Sequence, residues 1–163
     1  MNATELLSDE IIVAPAKSEY ALNIVGVYQD RLTQSWGMPM CRLAAQLAGE
    51  EHVRNIWYDV HSLDDVQVLM EAVGAVLVAD VIVVSIHAAD ELPLGLYVWI
   101  DAWLPRRASR EGALTALIGA DEPQYPQSSR TRDYLQAVAR KAQLDFIPLF
   151  ESRPHVEALN SEV

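Results

Sequence analysis

At 163 residues, 51% apolar and 21% charged, the chain has ordinary globular composition, and a chain of this length can bury roughly two thirds of its unfolded surface in one core. Its net charge of −11 repels phosphate backbones, and the basic residues are scattered apart from Arg106, Arg107, Arg110 and the Arg130, Arg132 pair, so no nucleic-acid partner is expected. No apolar run approaches the roughly 18 residues of a membrane span, and the acidic N-terminus MNATELLSDE lacks the basic, then apolar pattern of a secretory signal, so the expectation is a cytoplasmic protein with no membrane partner.

Residues 1–19 carry Glu5, Asp9, Glu10 and Glu19 against Lys17 alone, and read as an acidic N-terminal arm. The stretch ALNIVGVYQD from Ala21 is nearly all apolar and of strand length, as a strand covered on both faces should be. A helix follows, with Met40, Leu43, Ala44 and Leu47 spaced for one buried face, Pro39 in its first turn and Gly49 at its end. The lone Cys41 lies within it and cannot form an internal disulfide.

VRNIWYDV from Val53 is β-branched and aromatic, a second strand. Ser62 and Asp65 form an S-x-x-D capping pattern before a helix whose apolar positions are Val66, Leu69, Met70 and Val73. VIVVSIHA from Val81 is a third, fully buried strand, followed by a helix from Pro93 to Arg107. ALTALIGA from Ala113 is a fourth strand. Arg130 to Gln143 is helical, with Tyr134, Leu135, Val138 and Ala142 in register, and DFIPLF from Asp145 is a fifth strand, placed at an edge by Pro148. Residues 20–151 thus make the domain and residues 152–163 a C-terminal tail.

Five strands alternating with helices through short connections predict a five-stranded parallel sheet with helices on both faces. The common order is 2-1-3-4-5, the flavodoxin-like α/β arrangement, and ligands there bind beyond the carboxyl ends of the strands where the order reverses. The polar groups following strands 1, 3 and 4 are therefore the candidates: Asp30, Arg31, Thr33 and Ser35; Ser85, His87, Asp90 and Glu91; and the turn from Gly119 to Glu122. Thr33 and Ser35 precede a helix, where hydroxyls and free amides can hold a phosphate. Asp30 puts a negative charge at the same place, and the loop lacks the glycine spacing of a phosphate-binding fingerprint.

Ser85 and His87 are two apart on a strand and can share a face, with Asp90 or Glu91 as an orienting third group, but no G-x-S-x-G elbow accompanies them. His52, His61, His87 and His155 have no paired spacing and Cys41 adds no cluster, so no metal site is expected. The helix LPLGLYVWIDAWLPRR aligns Leu96, Trp99, Ile100 and Trp103 on one face and leaves the opposite face poor in charge, which makes Trp99 and Trp103 candidates for a self-association or partner interface as well as for the core.

The segment ADVIVVSIHAADELPLGLYVWIDAWL, Ala79 to Leu104, resembles the central part of NADPH-dependent FMN reductases, in which an A-D dipeptide leads into strand 3 and an I-D-W-like run, here Ile100, Asp101, Ala102 and Trp103, lies in the next helix. The resemblance implies a flavodoxin-like fold. It also implies FMN as a cofactor, held by the loops after strands 1 and 3. Only Arg31, Ser35 and Glu91 are loosely comparable to that family's contacts, with Thr33, Ser85, His87 and Gly119 beside them at the strand ends. The same segment is similar to one in uncharacterised bacterial proteins, which implies no function. Receiver domains of response regulators share the alternation, but Ser85 or His87 stands near their phosphorylated aspartate and Ile147 replaces the lysine before Pro148, which excludes their phosphotransfer.

The reading that follows is a flavodoxin-like module acting without catalysis, through a protein partner or as a homo-oligomer. The alternative is an FMN-dependent NAD(P)H oxidoreductase.

Overall fold

The computed structural model describes residues 22–107, 110–119 and 126–151; the expected N-terminal arm and C-terminal tail lie outside the described residues. Five parallel strands, β1 (Leu22–Tyr28), β2 (Val53–Asp59), β3 (Val81–His87), β4 (Ala113–Gly119) and β5 (Asp145–Glu151), form one sheet in the order β2-β1-β3-β4-β5, as the alternation predicts. The central strands β1, β3 and β4 are almost wholly buried, which is why they read as unbroken apolar runs. β5 lies at an edge, where the missing N–H of Pro148 is tolerated.

Among the described residues, five α-helices lie in the connections: α1 (Arg31–Trp36), α2 (Met38–Ala48), α3 (Val66–Leu77), α4 (Leu94–Trp103) and α5 (Pro126–Ala142). α3, α4 and α5 cover one face of the sheet over the larger core, which includes Val27, Ile82, Val84, Leu114, Leu135 and both indoles of α4. α1 and α2 cover the other face, where the buried core among the described residues is Ile24, Val83 and Leu117, with Trp36, Met40, Ala44 and Trp57 packed against it.

Three expectations are corrected. In α2 the side chain that is buried is Cys41, while Leu43 and Leu47 are exposed, because the face packed on the sheet is the one that carries Met40, Cys41 and Ala44. The cap of α3 is Asp65, whose carboxylate accepts from the backbone N–H of Gln67 and Val68; Ser62 instead closes the preceding 3-10 turn on the carbonyl of Asp59. The buried stripe of α3 is accordingly Ala72, Val73 and Val76, leaving Val66 and Met70 in solvent.

The third concerns Trp99 and Trp103. Both are 0% exposed, stacked edge-to-face at 5.9 Å inside the chain's own core, with Trp99 Nε1 donating to the carbonyl of Ala72. Rings enclosed in this way present no surface to a partner, so they are core residues and not an interface. Their helix reads as apolar all round because its inner face meets α3 and the sheet while its outer face keeps Val98 and Ala102.

Candidate functional site

The strand order reverses between β1 and β3, and the residues beyond Tyr28 and His87 build the polar centre of the molecule. The short helix α1 begins there and was not separable in the sequence. Asp30 is its N-cap: Oδ1 accepts from the Thr33 N–H at 2.9 Å, while Thr33 Oγ1 accepts from the N–H groups of Gln29 and Asp30 at 2.8 and 2.9 Å. The reciprocal pair is a capping box, readable in retrospect from the D-x-x-T spacing.

The second carboxylate oxygen of Asp30 meets Nε2 of His87 at 2.9 Å, and the backbone N–H of His87 donates to Oε1 of Gln29 at 3.0 Å. Two side chains of the β1 loop therefore bind the end of β3 directly. Partial burial raises the pKa of Asp30, but the Thr33 N–H and His87 outweigh it and hold the carboxyl below its ordinary value. Nδ1 of His87 is buried without a hydrogen-bond partner among the described residues, and Trp36 packs edge-to-face on the imidazole at 5.6 Å.

Ser85 is fully buried, and its hydroxyl donates to the carbonyl of Thr33 at 2.6 Å. It shares a strand face with His87, as the spacing predicts, yet it locks α1 to β3 and does not address the histidine. A serine–histidine nucleophile pair is not formed. Gly119 ends β4 beside His87, its carbonyl accepting from the Ala88 N–H at 2.7 Å; a β-carbon there would overlap the ring of Trp36. Gly26 is held to the same condition by Trp57.

The structure thus brings Thr33, Ser85, His87 and Gly119 together around Asp30. Arg31 and Ser35 lie on exposed positions of α1, the hydroxyl of Ser35 donating to the carbonyl of Leu32, and Glu91 is exposed in the loop before α4. Asp90 pairs with Arg130. Gln29, Trp36 and Trp57 were missed in the sequence because only the folded loop shows what they cover. Two arginines of the cluster are engaged internally: Arg107 is buried and donates to the carbonyls of Val76 and Glu111, and Arg110 donates to the carbonyl of Val78 and the carboxylate of Asp80.

No family model matches the chain, and no curated protein matches it. Solved structures do. The Flv1 flavodiiron core of Synechocystis sp. PCC6803 aligns at a TM-score of 0.59 and 13% identity, covering 92% of this chain and 35% of that one. A short-chain flavodoxin associated with a PDU bacterial microcompartment aligns at 0.54 and 18%, covering 86% and 93%. The flavodoxin of Streptococcus pneumonia TIGR4 aligns at 0.51 and 12%, covering 86% and 94%.

The fold is flavodoxin-like. At these identities the likeness shows the fold alone, and whether the residues present fit the FMN of such folds is decided by their chemistry. In this strand order FMN binds at the β1/β3 switch, where a phosphate uses free N–H groups at a helix start. Here the Thr33 N–H is satisfied by Asp30, whose carboxylate is held ionised at that point, and Trp36 lies across the end of β4. The described residues do not fit a flavin phosphate. Among them, no helix is long and apolar enough to cross a membrane and no acidic, histidine or cysteine cluster could hold a metal ion.

Proposed function

We propose that this flavodoxin-like module works through contacts with protein chains, a partner's or its own, and not through flavin chemistry. The observation that carries the reading is Asp30: one carboxylate caps α1 and pairs with His87 where a cofactor phosphate would need positive potential and free amides. Desolvating a phosphate dianion beside that carboxylate is unfavourable on Coulomb grounds alone. Apolar side chains exposed on α2, α3 and α4 supply material for contacts instead.

The test is a thermal-shift titration of the full chain with FMN, FAD and nicotinamide nucleotides, with a visible absorption spectrum. The expected result is a colourless protein with an unchanged Tm. A ligand at a hundred times its Kd stabilises the native state by about 2.7 kcal/mol, so binding would be seen. A yellow protein, or a shift that saturates with one cofactor, overturns the reading in favour of an FMN-dependent NAD(P)H oxidoreductase.

A further inference from the structure

α3 and α4 pack side by side and leave an open groove of about 380 Å³ between their outer faces, within the size of ordinary small-molecule clefts. Leu69, Val73 and Leu77 of α3 line it at four-residue steps, with Met70 and Gly74 beside them, so one apolar stripe runs about 12 Å along the helix. Ala102 of α4 and Arg106 in the turn after it complete the lining. Among the described residues that line the groove, Arg106 is the sole polar side chain.

The other arginines of this part of the chain are engaged. Arg107 donates to backbone carbonyls, Arg110 to Val78 and Asp80, Arg130 pairs with Asp90 and Arg132 with Asp133. The Arg106 side chain is exposed and, among the described residues, makes no hydrogen bond or ion pair. α3 and α4 carry one carboxylate each, and neither lines the groove: Glu71 accepts from the Tyr58 hydroxyl at 3.1 Å, and Asp101 bears on Tyr134 of α5.

Gly74 keeps the groove open. It sits inside α3, where glycine weakens a helix relative to alanine, and a β-carbon built there would meet nothing within 4 Å. At Gly26 and Gly119 an indole ring explains the missing side chain. At Gly74 the missing side chain is one that would have stood in the groove.

A stripe of apolar side chains with one cation at its end matches a molecule that is itself apolar along its length and anionic at one end. The parallel N–H groups of a guanidinium suit a carboxylate, which accepts two of them at once. A protein segment is a poorer match, because an interface needs polar partners around its apolar centre and this lining offers one. We propose that the α3/α4 groove binds an alkyl carboxylate of the fatty-acid class, its chain along Leu69, Val73 and Leu77 over Gly74 and its carboxylate on Arg106. The site shares no residue with the Asp30 and His87 switch point, and the proposal goes beyond the protein-contact reading without resting on it.

The probes are octanoate and dodecanoate, each below its micelle concentration, with dodecylammonium as control, added to the full chain and followed by calorimetry and amide hydrogen exchange. Dodecanoate is expected to saturate at one per chain and to slow exchange in residues 69–77. It should bind better than octanoate, by up to about fourfold for each added methylene that is buried. The net charge of −11 favours the ammonium ion at any nonspecific surface. A preference for the carboxylate, of about threefold to fivefold and fading as salt rises, therefore reads Arg106 itself. Arg106→Glu should reverse that preference. Gly74→Leu fills the groove without changing charge and should weaken dodecanoate at least about tenfold, the equivalent of exposing roughly two methylenes. The Tm of Gly74→Leu should not fall, since leucine is the better helix former, and Arg132→Glu on α5 should leave binding unchanged.

No saturable binding, equal or tighter binding of dodecylammonium, or a dodecanoate affinity untouched by Arg106→Glu and Gly74→Leu would each overturn the proposal. A dimer in light scattering that Gly74→Leu dissociates would assign the groove to a second copy instead, and also overturn it.

Discussion

Among the described residues, the two faces of the sheet are built to different depths. Under α3, α4 and α5 lies a continuous core with two stacked indoles and a buried arginine that satisfies the last turn of α3 through the carbonyl of Val76. Under α1 and α2, the buried aliphatics among the described residues, Ile24, Val83 and Leu117, are capped by Trp36 and Trp57, and the strand ends are joined by hydrogen bonds that involve Gln29, Asp30, Thr33 and Ser85. Among the described residues, the larger apolar core lies on the face that carries no polar site. The thin face spends its few side chains on closing the switch point.

That contrast can be tested by one substitution made twice. Ile82→Ala, in the deep core, should cost about 4–5 kcal/mol in denaturant unfolding, and Ile24→Ala on the thin face about 2–3 kcal/mol, because a cavity costs less where neighbours can relax into it. Equal losses would remove the distinction. Gly119→Ala forces Trp36 off the end of β4 and should cost roughly 1–3 kcal/mol, with a red-shifted tryptophan emission as the ring gains solvent.

A smaller effect should come from the cap. Asp30→Ala removes the acceptor of the Thr33 N–H and should cost about 1 kcal/mol at neutral pH. Because folding lowers the pKa of Asp30, its contribution is present above the ordinary carboxylate range and is lost as the pH falls through the folded value. The difference between wild type and Asp30→Ala should therefore close in acid; a difference that persists there would assign the effect to packing. Least of all, Met70→Glu should change stability by no more than about 0.5 kcal/mol, since its side chain stands in solvent.

The deep face was legible in the sequence and the thin one was not. Strands 1, 3 and 4 are covered on both sides and leave unbroken apolar runs, and the i, i+3, i+4 face of Leu96, Trp99, Ile100 and Trp103 is the buried face of α4. Periodicity misled where a helix carries a second apolar stripe: Leu43 and Leu47 on α2, and Val66 and Met70 on α3, follow a core spacing and face solvent. The six-residue α1 is too short for any period to show, so the grouping of Asp30, Thr33, Ser85 and His87 emerged only when β1 and β3 were placed side by side.

Pro148 has a further effect at the far end of the sheet. With no N–H to offer midway along β5, that border is a poor template for adding strands, and the opposite border on β2 presents Arg54 and Asn55 to water. Growth of the sheet from molecule to molecule, the route to fibrils, is hindered at both ends. Crowded solutions of this protein should accordingly stay clear of amyloid, and its associations should be made helix against helix.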